Sequence, residues 1–479
     1  MAKSLLEKGT FEVKSSRIDV RRGPDGRWYS KYPLMYVAQA VPAVFLREHV
    51  REWVNDVALV QWLPATVPHA ITATIAVGVM QLGLAFGASM LSAVLLGLSV
   101  VFTTPLWVSG RTLYSEPLQA LVFVYVILAA VRARDETRRS AFAWLGLLAG
   151  IALNTKITLG ILPVAVLVDQ LHERWTRRRV IHLFGITLPC ALIGVVAWLA
   201  YNKLRYGSVL AQGYSADRDG SIGFGVPLIA GLYGLTLSTG KSVFLYAPIL
   251  LVSVTAIPRW WRARRRDLIL LAIPVVTLFV LTAKWWAWAG DWGWGPRLIV
   301  PIIPLFALPA LDAIERAGWP RRIFLLLAAA GLYVQVLGIS VDYGHFIGIM
   351  EPIVIKTTGR DPKHPVPLLR DPLLVEHFVP ELSPIVGQQW LIRRYFRNTP
   401  WRRSSSYPWK SLGIPSWRPR RDPTPRRLNY WVDTTSSKAA WCLELELFVT
   451  VLASGYFLFR RRAVPTPTSA ASEADLDAA

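Results

Sequence analysis

Three charged residues of this chain stand where an anion could be held. Arg297 follows a Gly-Pro pair in WWAWAGDWGWGPRLIVPIIPL, Trp285 to Leu305, at the predicted start of an apolar helix. A helix N-terminus attracts anions, and an arginine placed there opposes the helix dipole unless an anion accompanies it. That favours a phosphate or carboxylate partner, and Asp291 of the same string is a carboxylate that could fill the place structurally. Glu116 lies in SGRTLYSEPL, Ser109 to Leu118, in the first turn of another predicted helix. The dipole favours a carboxylate there and Pro117 suits an early helical position, which is already a structural reason for both. Arg111 of that string could pair with Glu116 or bind phosphate. Lys31, in DGRWYSKYPLMY, Asp25 to Tyr36, is either a compact donor to a phosphate oxygen or a lysine that snorkels to lipid headgroups. Trp292 and Trp294 sit in a Trp/Gly-rich turn whose rings can stack on a sugar face or anchor a membrane interface. No P-loop, Gly-x-Ser-x-Gly, His-Glu-x-x-His or Cys-x-x-Cys pattern offers a competing chemistry.

The elements that must position these residues are membrane helices. Hydrophobic residues make up 53% of the chain, and from Val57 to Gly110 there is no Asp, Glu, Lys or Arg. Such a stretch reads as two crossings with a turn near Gly87. The net charge of +22 is split among many short loops, which argues against a nucleic-acid surface and for topology signals and contact with anionic headgroups. Cys190 and Cys442 both fall in apolar segments, so no disulfide framework is implied. Five basic clusters, Arg132 to Arg139, Arg174 to Arg179, Arg259 to Arg266, Arg316 to Arg322 and Arg460 to Arg462, are cytoplasmic by the positive-inside rule. An even number of crossings must then separate neighbours. A single helix over 141–171 would be roughly 46 Å long against a hydrocarbon core of about 30 Å. Two short helices with Lys156 at the far turn satisfy the parity instead. Other spans are expected near 67–86, 87–106, 115–131, 182–201, 242–258, 267–285, 297–313, 323–342 and 440–459, about eleven crossings in all. The short, Pro-containing stretch 31–46 reads as an interfacial helix.

The resulting organisation is an extracytoplasmic first-loop region, 1–66; a transmembrane core, 67–342, with an outer loop at 202–241; a long extracytoplasmic loop, 343–439; a last helix, 440–462; and a disordered cytoplasmic tail, 463–479. Parity places the basic N-terminal segment outside without a leader, so a further transmembrane helix is expected upstream.

The outward-facing strings resemble the GT-C superfamily, polytopic glycosyltransferases that take a sugar from a polyprenyl-phosphate donor. The likeness is to bacterial relatives of protein O-mannosyltransferases and to the lipid A aminoarabinose transferase. It implies an all-α polytopic bundle with extracytoplasmic interfacial helices and loops, in a bacterial plasma membrane with the active site outside. DGRWYSKYPLMY is similar to the family's aromatic-Lys-Pro-Pro-Leu segment, with Tyr32 in place of the first proline. It implies donor phosphate contact by Lys31, with Tyr29 and Tyr32 beside sugar or lipid. Arg297 and Arg111 join the phosphate set; Trp292 and Trp294 join the sugar or lipid contacts. Glu116 and Asp291 are the catalytic carboxylates the resemblance leaves within this chain, Glu116 acting near the acceptor or a divalent metal. FVPELSPIVGQQWLIRR, Phe378 to Arg394, and NKLRYGSVLAQGY, Asn202 to Tyr214, also resemble family loops, the latter adding Arg205 and Tyr214 as weaker candidates. The family's principal carboxylate precedes the segment AKSLLEKGTF and would lie upstream of Met1. The implied function is transfer from a polyprenyl-phosphate sugar to a lipid, glycan or protein acceptor, with no nucleic-acid partner. A transporter or lipid flippase, and a catalytically inactive scaffold, remain the alternatives.

Overall fold

Long apolar runs in a bilayer must satisfy their own backbone groups, so the chain is built from helices. The computed structural model describes residues 1–13, 20–53, 57–211, 223–290, 293–347, 350, 375–397 and 445–453. The fold is all-α and polytopic. Among the described residues, six helical segments are long and apolar enough to cross a membrane: Thr66–Ala85, Ser115–Arg132, Arg177–Tyr206, Arg265–Lys284, Arg297–Glu315 and Trp319–Ser340. Met90–Phe102 and Ile157–Leu171 are shorter apolar helices between them. The chain is thus an integral membrane protein. Arg177–Tyr206 runs along the rim, with Phe184, Leu192, Ile193 and Val196 exposed on the outside of the bundle.

The chain opens with α1 (Ala2–Lys8), a hairpin of β1 (Val20–Arg22) and β2 (Trp28–Ser30), and α2 (Leu34–Trp53). In the hairpin Arg21 stands opposite Tyr29. Helix α2 is longer than the expected 31–46 and runs through Pro42. The uncharged stretch forms α3 (Val57–Ala85) and α4 (Met90–Phe102). Gly87 makes the turn between them with φ at 76°, a value a side chain would oppose. A short α5 (Leu106–Ser109) leads to α6 (Ser115–Arg132).

The stretch 141–171 divides where the parity argument requires. Helix α7 (Arg139–Thr155) stops at Lys156, whose φ of −166° and ψ of 141° are extended. A 3-10 turn, Ile157–Gly160, then enters α8 (Ile161–Leu171). Helix α9 (Arg177–His182) passes through a π-turn into α10 (Leu188–Tyr206). Small residues let α7 and α10 touch: a Cβ on Gly194 would lie 2.2 Å from the Gly150 Cα. Asn154 locks that contact, donating to the carbonyls of Gly150 (2.9 Å) and Gly194 (2.7 Å).

Prolines account for two departures from the expected spans. The segment 242–258 is broken into α12 (Val243–Tyr246) and α13 (Ile249–Ala263), because Ala247 precedes Pro248 and leaves the helical region. After α11 (Leu228–Thr236) and α14 (Arg265–Lys284), the segment starting at Arg297 is a 3-10 helix to Ile302 before α15 (Ile303–Ala307) and α16 (Leu311–Glu315). Pro301, Pro304 and Pro309 remove donors from the i→i−4 ladder there. Helix α17 (Trp319–Ser340) follows. Of the last expected span, 445–453 is helical and the rest lies outside the described residues, as do most of 343–439 and all of 463–479.

Four of the five arginine clusters meet at one end of the bundle. Asp169, its side chain fully enclosed, pairs with Arg134 at 2.7 Å and Arg266 at 2.7 Å. Arg134 also binds Asp267 at 2.6 Å, Arg266 binds Glu173, and Arg179 binds Glu136 at 3.1 Å. Asp312 joins Arg259 at 3.2 Å to Arg316 at 2.8 Å. These arginines serve carboxylates as well as any headgroup. The fifth cluster, Arg460 to Arg462, lies outside the described residues. This basic end fixes the sense of every helix, so the start of α6, the ends of α7, α10 and α17, and Arg297 lie at the opposite end.

Candidate functional site

The Gly-rich turn delivers Arg297 to the opposite end of the bundle. Its side chain lies against two glycines: a Cβ on Gly293 would meet the Arg297 Cδ at 2.8 Å, and one on Gly290 its Cβ at 3.2 Å. The carbonyl of Gly293 accepts a 2.7 Å hydrogen bond from the buried ammonium of Lys241, which holds the turn. Thus the glycines of the Trp-rich string are needed for close approach of backbone to the arginine stem.

Arg297 meets Glu116 there. The Arg297 Nε donates to Glu116 Oε1 at 3.0 Å, with the carboxylate buried and the guanidinium side chain 22% exposed. The Tyr114 ring lies under the guanidinium, 4.6 Å from Cζ. Glu116 is in the first turn of α6, where the helix dipole attracts a carboxylate, and the Ser115 hydroxyl donates to its Oε2 at 3.4 Å. Tyr36 of α2 faces the same group. Burial pushes its hydroxyl up to about 12, Tyr32, Glu116 and Tyr114 add to the shift, and Arg297 opposes it. Tyr32 stacks on Tyr36 with ring centroids 4.5 Å apart.

Tyr32 connects this group to Lys31. The C-terminal turn of α10 grips the backbone on both sides of that lysine. Buried Arg205 donates to the carbonyls of Ser30 (2.7 Å) and Tyr32 (3.1 Å), and to Asn202 Oδ1 at 3.1 Å. The hydroxyls of Tyr206 and Tyr201 donate to the same two carbonyls at 3.0 and 3.2 Å. Lys31 is therefore presented on a clamped segment, half-buried between β2 and α2. Arg205→Lys is expected to speed amide exchange across 28–36 about tenfold, since an ammonium cannot span three acceptors as a guanidinium does. Hydrogen exchange on the detergent-purified chain measures this. Unchanged exchange would mean the hairpin holds the segment alone.

The remaining sequence candidates fall elsewhere. The Tyr29 hydroxyl donates to Asp25 Oδ2 at 2.6 Å, which holds that carboxyl below its ordinary range. Burial and Asp25 push Tyr29 up to about 12, so the pair closes the hairpin. Arg111 is buried and donates to the Ile339 carbonyl at 2.8 Å, joining α5 to the end of α17. Trp294 is buried, donating to Gln335 Oε1 at 3.2 Å and packing edge-on to Tyr246 at 5.1 Å. Asp291, Trp292 and Tyr214 lie outside the described residues. Tyr36 and Tyr114 flank the candidate residues in sequence but carry no signal of their own, and Arg205 is marked only weakly there. Among the described residues no group of three or more His, Cys, Asp or Glu could hold a metal ion. Glu116 is a single carboxylate facing cations, a poor donor set for a divalent ion.

No protein-family model matches the chain, and no curated protein matches it in sequence. Among solved structures it is similar to the crystal structure of ArnT from Cupriavidus metallidurans bound to undecaprenyl phosphate. The TM-score is 0.42 at 16% sequence identity, covering 81% of this chain and 68% of that one.

Proposed function

We propose that this chain is a glycosyltransferase that moves a sugar from a polyprenyl-phosphate donor to an acceptor at the bilayer surface opposite its basic end. In a bacterial plasma membrane that surface is the extracytoplasmic one. The observation that carries the reading is the Glu116–Arg297 pair, with the arginine at a helix start and part of its guanidinium open. A donor of this class is a phosphodiester with one negative charge, and its leaving group gains a second as the bond to the sugar breaks. Arg297 and Lys31 meet that developing charge. Glu116 takes the proton of the acceptor hydroxyl as the new carbon–oxygen bond forms. Movement of Arg297 toward the phosphate releases a lone pair of Glu116 for that role, and Asp291 is the second carboxylate within reach of the turn in sequence. Tyr32, Tyr36 and Tyr114 offer hydroxyls and ring faces to sugar or lipid. The acceptor hydroxyl belongs to a lipid, glycan or protein.

A transporter is supported less well. The central turns of all six spans carry no Asp, Glu, Lys or Arg, where a midplane substrate site would need them. The test is direct. The purified chain, given polyprenyl-phosphate hexoses and pentoses with an envelope lipid extract as acceptor, is expected to release polyprenyl phosphate. Lys31→Ala is expected to lower kcat/KM for the donor about ten- to hundredfold, the loss of one charge-assisted contact. No donor binding and no release by the wild type would overturn the proposal. Unchanged donor kinetics in Lys31→Ala would assign that lysine to headgroups.

A further inference from the structure

Lys156 is the residue the mechanism leaves unused. Helices α6 and α7 form a hairpin joined by a short turn at the basic end, so the start of one lies beside the end of the other. Glu116 is at that start and Lys156 directly follows that end. Arg297 opens the 3-10 helix that packs on α6. The three charges accordingly interact: Glu116 favours the Lys156 ammonium and Arg297 opposes it. No carboxylate among the described residues lies within 4.0 Å of Lys156, which makes no salt bridge there. The residues before it are satisfied locally, Asn154 by two carbonyls and Thr155 by the Ile151 carbonyl. The side chain is half-buried, in a setting that penalises its charge. Among the described residues, one carboxylate and two cations thus meet where α6 starts and α7 ends.

We propose that Lys156 is a second cation of the Glu116–Arg297 site and contacts the phosphate of the bound lipid. The proposal rests on the polyprenyl-phosphate reading given above. It makes Lys156 a specificity device: an anionic head is held by two opposed cations, whereas a neutral polyprenol gains nothing from either.

The test compares binding of undecaprenyl phosphate with that of undecaprenol, by native mass spectrometry of the full-length chain in detergent. Wild type is expected to prefer the phosphate at least tenfold. Lys156→Met is expected to lose about tenfold of phosphate affinity and none for the alcohol, and Lys156→Arg to restore most of the preference. If Lys156→Met does not survive purification, Lys156→Gln supplies the same comparison. A wild type without preference for the phosphate overturns both this proposal and the reading beneath it. A preference that Lys156→Met or Lys156→Gln keeps in full overturns the assignment of Lys156 alone, leaving it a helix-end lysine favoured by the α7 dipole.

Discussion

Arg297→Gln is expected to reduce donor turnover about a hundredfold or more, because it removes a charge-assisted contact that strengthens as the phosphate leaves. It has a second effect that must be separated from the first. Glu116 is buried and its ion pair is with Arg297. Without that partner its charge costs about 1–3 kcal/mol of stability, less than a fully enclosed pair because the arginine is partly exposed. Glu116→Gln leaves only cations, of which Arg297 is partly exposed, and is expected to keep donor binding while slowing transfer. The double variant, Arg297→Gln with Glu116→Gln, is therefore the informative one. It should recover thermal stability yet stay unable to use donor. If the double variant also recovers donor binding, Arg297 serves only to neutralise Glu116 and holds no phosphate. If Glu116→Gln weakens donor binding as much as Arg297→Gln does, the carboxylate acts by orienting the arginine, not on the acceptor.

The helix ends of this site were legible in the sequence for one reason. Charges in an apolar chain must sit at helix ends, so Glu116, Lys156 and Arg297 each marked a terminus before any packing was known. Parity among the arginine clusters puts the three at one end and the turn at Lys156, whereas the turn at Gly87 follows from the length of the uncharged stretch. What the charges could not say was which termini are neighbours. In sequence Lys156 is a turn residue and no more, because its place depends on the α6–α7 hairpin bringing it beside Glu116. The hairpin at 20–30 was not foreseen, since its pairing rests on local contacts such as Asp25 with Tyr29 rather than on an apolar pattern. Arg205 was hard to weigh for a different cause. Its partners are backbone carbonyls, which every residue has, so no sequence signal marks them. Proline effects were visible in kind but not in outcome: Pro42 is carried inside α2, whereas Pro248 ends α12.

Asp169→Asn is expected to be the most destabilising single change at the basic end, by about 3–5 kcal/mol. The carboxylate is fully enclosed and is shared by Arg134 and Arg266, which come from two other segments. Asparagine has nearly the same volume, so packing is kept and only the charge is lost. Arg134 then keeps Asp267 and Arg266 keeps Glu173, but two guanidinium groups face an amide that can accept from one side only. The tie between the turn after α6, the end of α8 and the start of α14 is weakened, and the thermal midpoint of the purified chain should fall by several degrees. Turnover per folded molecule should not change. Helix α6 separates Arg132 from Glu116 by about 25 Å, too far for the lost charge to act on the site through water-screened space. An unaltered midpoint would show that the arginines are held by headgroups and not by Asp169. A fall in turnover at equal folded fraction would instead mean that α6 transmits the disturbance, and that the two ends of the bundle are mechanically one.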